Sequence, residues 1–107
     1  MGYYTYFSIT LYGEDEAYDK AAKEICELGE HAENSLLGGS LEKWYSHRED
    51  LSKVAKNNPE VLIRVCGDGE ESDDLWEERY KGELFEFHSA SIPPFTTKEL
   101  QIPKTNN

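Results

Sequence analysis

Seven carboxylates crowd into the stretch from Asp68 to Glu78, namely Asp68, Glu70, Glu71, Asp73, Asp74, Glu77 and Glu78. Clustered carboxylate oxygens are what Ca²⁺ and Mg²⁺ require, so a cation site is the first chemistry to test. The spacing does not fit it, because an EF-hand loop needs a glycine at its sixth position and a glutamate at its twelfth. A solvated acidic turn is expected instead. Gly67-x-Gly69 is no phosphate loop either, since no Lys-Ser or Lys-Thr follows and the neighbouring carboxylates would repel a phosphate. His31, His47 and His88 with Cys26 and Cys66 could ligate zinc, but no two stand at a spacing such as C-x-x-C or H-E-x-x-H. No metal and no cofactor is expected. With no G-x-S-x-G and no carboxylate pair that stands out from the general acidity, no catalytic residue is assigned. An enzyme is the less favoured class, although a Cys–His pair assembled by folding stays open, because such partners meet in space and not in sequence.

The chemistry that remains is recognition by charge and by aromatic surface. The chain has 107 residues and a formal charge of −11, from 22 acids against 11 bases. That balance opposes direct binding to nucleic acid or to an anionic membrane, where Lys and Arg must neutralise phosphate, and it favours a protein partner with a basic surface. The excess is local: residues 14–33 hold 8 acids and 2 bases and residues 67–87 hold 9 and 2, whereas residues 41–66 hold 4 and 5. Acids arrayed along a helix and a turn can imitate the phosphates of a nucleic acid and so occupy a basic groove. Solubility is the plainer reading of the same acidity.

The elements that must position these groups can be read from periodicity. The 13 aromatics among 107 residues argue for a folded chain, and the length suits a single domain, expected over residues 1–102 with a frayed tail at 103–107. From Gly2 to Tyr12 the chain alternates, with Phe7, Ile9 and Leu11 on one face and Tyr4, Tyr6, Ser8, Thr10 and Tyr12 on the other, which predicts a first strand. Gly13 breaks it. Glu14, Asp15 and Glu16 then open a helix whose apolar stripe is Ala17, Ala21, Ile25 and Leu28, with Gly29 as its C-cap. Residues 30–40 read as a loop, residues 41–45 as a short strand, and Ser46 with Glu49 as a capping box that starts a second helix running to Lys56. Val61, Ile63 and Val65 share the face of a third strand, and Gly67-Asp68-Gly69 reads as a turn. Trp76 to Tyr80 then pairs with Glu83 to Ser89 across Lys81-Gly82, with Gly82 at the second centre of the turn. Pro93-Pro94 cannot continue a central strand, so the chain beyond is expected to run along an edge.

The predicted order is β-α-β-α-β-β-β, an α+β fold with an antiparallel or mixed sheet and two helices packed on one face. The other face would then be open and rich in tyrosine, with Tyr4, Tyr6 and Tyr12 beside Arg64, Glu86 and His88, unless the C-terminal segment covers it. Tyrosines on such a face can bind a partner, because each ring buries much area at low entropic cost. No apolar run approaches the roughly 18 residues of a membrane span, and no basic segment precedes an apolar one at the N-terminus, so a cytoplasmic protein without a secretory signal is expected. Tyr6 stands where myristoylation needs Ser or Thr. The two cysteines are expected to be free thiols.

From Trp44 to Leu84 the run WYSHREDLSKVAKNNPEVLIRVCGDGEESDDLWEERYKGEL resembles a pattern in small proteins of bacteriophages and mobile elements. The shared features are a Trp-Tyr strand, a short helix, a proline before an apolar strand, an acidic G-x-G-E-E turn, and Asp-x-Trp before a hairpin. The resemblance implies a ferredoxin-like variant of the α+β fold and carries no catalytic residue across. Among small acidic phage proteins, inhibitors of host defence such as anti-CRISPR proteins recur, and some mimic nucleic acid. By that analogy the expected function is inhibition of a bacterial defence protein, a CRISPR effector nuclease foremost, in the host cytoplasm. The acids Asp68, Glu70, Glu71, Asp73, Asp74, Glu77 and Glu78, with Tyr4, Tyr6 and Tyr12, would contact the basic partner, and the protein would act as a monomer or homodimer. The alternative is a small-molecule-binding or enzymatic domain that uses the tyrosine-rich sheet face.

Overall fold

Alternation of apolar residues on the first and third strands decides where the sheet is buried. A computed structural model describes residues 3–71 and 74–90 of the chain. Strand β1 (Thr5–Tyr12) is followed by helices α1 (Asp15–Glu27) and α2 (Glu30–Leu36), strand β2 (Ser40–Glu42), helix α3 (His47–Asn57) and strands β3 (Leu62–Gly69), β4 (Leu75–Lys81) and β5 (Leu84–Ala90). The five strands form one antiparallel sheet in the order β2-β1-β3-β4-β5. The α+β class and the open antiparallel sheet are thus as the sequence predicts. Since β2 and β3 both run against β1, they are parallel to each other with α3 as their crossover. That is a split β-α-β unit.

Phe7, Ile9 and Leu11 of β1 and Ile63 and Val65 of β3, with Val61 just before it, are buried under Ala21 and Ile25 of α1 and Leu51, Val54 and Ala55 of α3. The opposite face carries Tyr6, Thr10 and Tyr12, all exposed. A buried side chain of this size stabilises the fold by roughly 1.5–3 kcal/mol relative to leaving it in water, so the pleat phase of β1 and β3 fixes which face the helices cover.

Several local expectations change. Residues 30–36 form α2 and not a loop: Ala32 and Ser35 are buried one helical turn apart, a pattern too short to show as a period in sequence. Gly29, at φ 139°, stands before α2 as its N-cap, and Leu28 is the C-cap of α1. Gly67-Asp68-Gly69 is strand and not turn, because Gly67 pairs with Phe7 and Gly69 with Thr5. A Cβ on Gly67 would collide with the indole of Trp76, its partner on β4, so glycine here admits a ring across the strand instead of turning the chain. The capping box does not form, since the Ser46 hydroxyl donates to Asp50 Oδ2 at 2.9 Å, an oxygen that also accepts from Trp44 Nε1 at 2.9 Å. In the last hairpin Lys81 pairs with Leu84, which makes Gly82, at φ 61°, the first of two turn centres. The segment from Pro93 and the tail at 103–107 lie outside the described residues, and among those described no helix is long and apolar enough to cross a membrane.

Candidate functional site

Glu78 stands in phase with Trp76 and Tyr80 on β4, and this parity turns its side chain to the helix-covered face. It is 0% exposed, so it cannot be among the acids presented to a basic partner. A buried carboxylate must be neutralised and hydrogen-bonded, and the first turn of α3 meets both needs. His47 Nε2 lies 2.9 Å from one carboxylate oxygen, and Arg48 donates through Nε to the other at 2.5 Å. The Tyr80 hydroxyl donates to the first oxygen at 2.6 Å. Burial pushes the Glu78 carboxyl up, but the bonds from His47, Tyr80 and Arg48 outweigh it and hold the group below the usual carboxylate value. Tyr80 is driven the other way, by burial first and then by the adjacent carboxylate.

Around this cluster the walls are aromatic. His47 stacks on Trp76 with ring centroids 5.2 Å apart and an interplanar angle of 21°, and its Nδ1 lies 3.3 Å from the Trp44 carbonyl oxygen. Phe7 meets Trp44, His47 and Trp76, and the Arg48 guanidinium lies over the rings of Phe85 and Phe87. The result is a cleft of about 330 Å³ whose rim includes Tyr3, Tyr45, Arg48, Trp76 and Phe87. Its polar groups are spent on one another: Glu78 receives three side chains and both ring nitrogens of His47 are engaged within the protein. Tyr3 closes the rim, its hydroxyl donating to Asp74 Oδ2 at 2.5 Å and accepting from the Glu71 N–H at 3.2 Å. The Asp74 bond accordingly raises the pKa of Tyr3.

The remaining predicted contacts divide. Asp68, Glu70 and Glu71 are exposed and have no cationic partner among the described residues. Glu77 is not free: Arg64 lies 3.0 Å from one of its oxygens and Arg79 2.6 Å from the other, Arg64 first and Arg79 second lowering its pKa. Asp74 is half-buried against Tyr3, and Asp73 lies outside the described residues. Tyr4, Tyr6 and Tyr12 are 39, 44 and 48% exposed. They do not form one patch, because Tyr6 and Tyr12 stand six residues apart, roughly 20 Å along the strand. The Tyr6 hydroxyl donates to the Gly38 carbonyl at 3.1 Å, and Lys43 covers the ring of Tyr4. Arg64, Glu86 and His88 do line the open face, which holds a shallow depression of about 520 Å³ bounded by Tyr6, Cys66, Glu77 and His88. Cys26 and Cys66 are free thiols.

Two groupings escaped the sequence. The His47–Arg48–Glu78 cluster joins residues thirty apart, and only the parity of Glu78 with Trp76 and Tyr80 announces that an acid is buried and needs a cation. At the opposite end of the sheet, Glu60 is brought beside Glu14, Asp15 and Glu16, because the residues that lead into β3 lie next to the end of β1. All four are exposed and none has a cationic partner among the described residues. The eight residues of β3 separate this acidic pole from the one at Asp68, Glu70 and Glu71, roughly 25 Å at about 3.3 Å per residue. Among the described residues no three of His, Cys, Asp and Glu gather as a metal-binding group. No family model matches the chain, no curated protein matches its sequence and no solved structure matches its fold.

Proposed function

We propose that the protein is a non-enzymatic inhibitor of the phage type that binds the basic nucleic-acid groove of a bacterial defence protein, a CRISPR effector nuclease foremost. The observation that carries this reading is the pair of unneutralised acidic poles, Glu14, Asp15, Glu16 and Glu60 at one end of the sheet and Asp68, Glu70 and Glu71 at the other. The helix dipole of α1 accounts for acids at Glu14, Asp15 and Glu16, but Glu60 belongs to no helix and still joins them. Two poles roughly 25 Å apart could meet phosphate-binding sites on both sides of one groove. Glu77 and Glu78 take no part, since their charge is consumed inside the molecule.

The test is competition. With an RNA-loaded effector nuclease and a labelled target duplex, the parent should displace the duplex and a Glu14→Lys, Glu16→Lys, Glu60→Lys variant should do so markedly less at low salt. Raising the salt should narrow the gap, since exposed charges are screened beyond about 10 Å at 0.1 M. Equal displacement by parent and variant at low salt across a panel of effectors would leave the acids as a solvated face. The alternative, a small-molecule-binding or enzymatic domain that uses the tyrosine-rich open face, is favoured by one observation, the depression of about 520 Å³ bounded there by Tyr6, Cys66, Glu77 and His88.

A further inference from the structure

The outer edge of β5 is open. It ends the sheet order, its seven residues are all exposed, and among the described residues nothing pairs with its free side. Lys81 and Leu84 close a two-residue turn, so they form a hydrogen-bonded pair, and alternation makes Glu86 and His88 bond inward to Arg79 and Glu77. The N–H and C=O groups of Phe85, Phe87 and Ser89 therefore point out from the edge. Natural edge strands are blunted by proline, a bulge or charged side chains, and of these β5 carries only Glu86 and His88. On the helix side its two phenylalanines extend the core face past the helices and remain 46 and 43% exposed.

We infer that β5 pairs with β5 of a second copy of this chain, antiparallel and centred on Phe87, to make one continuous ten-strand sheet. The strand is self-complementary in this register. Phe87 meets Phe87 of the second copy and Phe85 meets Ser89, all at positions whose backbone groups are free. On the other face Glu86 stands opposite His88, twice by symmetry, and this pair matches acid with imidazole at a cross-strand separation of about 5 Å. In the single copy the same two side chains already lie 3.5 Å apart, so acid and imidazole share this face of the strand and are within reach of each other. Moving the centre by one residue would face Glu86 with Glu86 or His88 with His88, and moving it by two would lose the Glu86–His88 match, so charge and backbone favour this arrangement. The inference is independent of the proposed function, and its salt dependence is opposite: each copy carries a charge of −11, so screening should strengthen the pairing.

Sedimentation of the full chain over a range of concentrations should show a dimer whose dissociation constant falls as salt is raised. His88→Glu sets like charges opposite each other twice and should weaken the dimer about tenfold or more. The exchange of both residues, Glu86→His with His88→Glu, restores the pairing and should recover it, a rescue that a merely misfolded variant would not give. Amide exchange supplies the register: Phe85, Phe87 and Ser89 should become protected as dimer forms. A chain that stays monomeric at millimolar concentration overturns the inference. So does protection of those three amides in a monomer, which would mean that another part of the same chain covers the edge.

Discussion

Glu77 and Glu78 are neighbours on one strand with the same functional group, and the pleat of β4 sends them into different physics. Glu77 on the open face is a surface acid held between two arginines, in a setting where water and salt screen each pair and the net gain is commonly about 0–1 kcal/mol. Glu78 on the covered face has left water altogether, and its ionisation depends on His47, Arg48 and Tyr80. The lesson is that a run of acids is not a uniform acidic surface. Parity along a strand decides which carboxylates face a partner and which fasten the fold.

Removing each carboxylate in turn should separate the two faces most widely. Glu78→Ala leaves a void beside His47 and Arg48 and strips the buried Tyr80 hydroxyl of its acceptor, and it should cost about 2–3 kcal/mol of unfolding free energy. Glu77→Ala should cost less than about 1 kcal/mol. Urea denaturation of both variants measures the contrast, and equal losses would show that parity does not set the value of these charges. A somewhat smaller effect is expected at Gly67, where a methyl group would meet the Trp76 indole that stacks on His47. Gly67→Ala should destabilise by about 1–3 kcal/mol, the cost of overpacking, and should shift the tryptophan fluorescence.

Acid titration sharpens the same contrast. The folded Glu78 carboxyl lies below its unfolded value of 4.5, so the unfolded chain binds the proton more readily. Its contribution to stability is complete above that value and is lost as pH falls through the folded value. The stability gap between parent and Glu78→Gln should therefore be constant from neutral pH down to about pH 5 and close below about pH 4.5. Glu77 is shifted in the same direction, but as a half-exposed group it should contribute a smaller slope in the same window. A gap that persists to pH 2 would mean that the packing of the side chain, and not its charge, ties α3 to β4.

Much of this arrangement is legible in the residues. Phe7, Ile9, Leu11, Val61, Ile63 and Val65 announce the covered face by alternation alone, because a one-residue slip would put all of them in water. The seven residues of α2 do not, since two buried positions cannot define a period. Within the acidic run, Glu78 could be assigned to the covered face from its phase with Trp76 and Tyr80, but the phase of β4 is obscured by charged residues on both of its sides. The partners of Glu78 and the meeting of Glu60 with Glu14 depend on which segments the sheet order brings together, and no local pattern encodes that.

The smallest effect on the fold is expected where the charge is most exposed. Glu70 and Glu71 follow the end of β3, carry no cationic partner among the described residues and sit on the pole opposite α1. Reversing both to Lys should change the unfolding free energy by less than about 0.5 kcal/mol, since neither side chain is packed or paired. The same reversal moves the net charge from −11 to −7 and places two cations at the pole proposed to meet a basic groove. Association with such a partner should slow severalfold at low salt while dissociation changes little, because charges at the rim act mainly on encounter. Stopped-flow association at two salt concentrations, run beside a urea melt, reads both quantities on one sample. An unchanged association rate with an unchanged melt would remove this pole from the binding surface and leave the Glu14–Glu60 pole to carry it alone, whereas a large loss of stability would mean that the Tyr3 contacts to Glu71 and Asp74 make this end of the sheet structural.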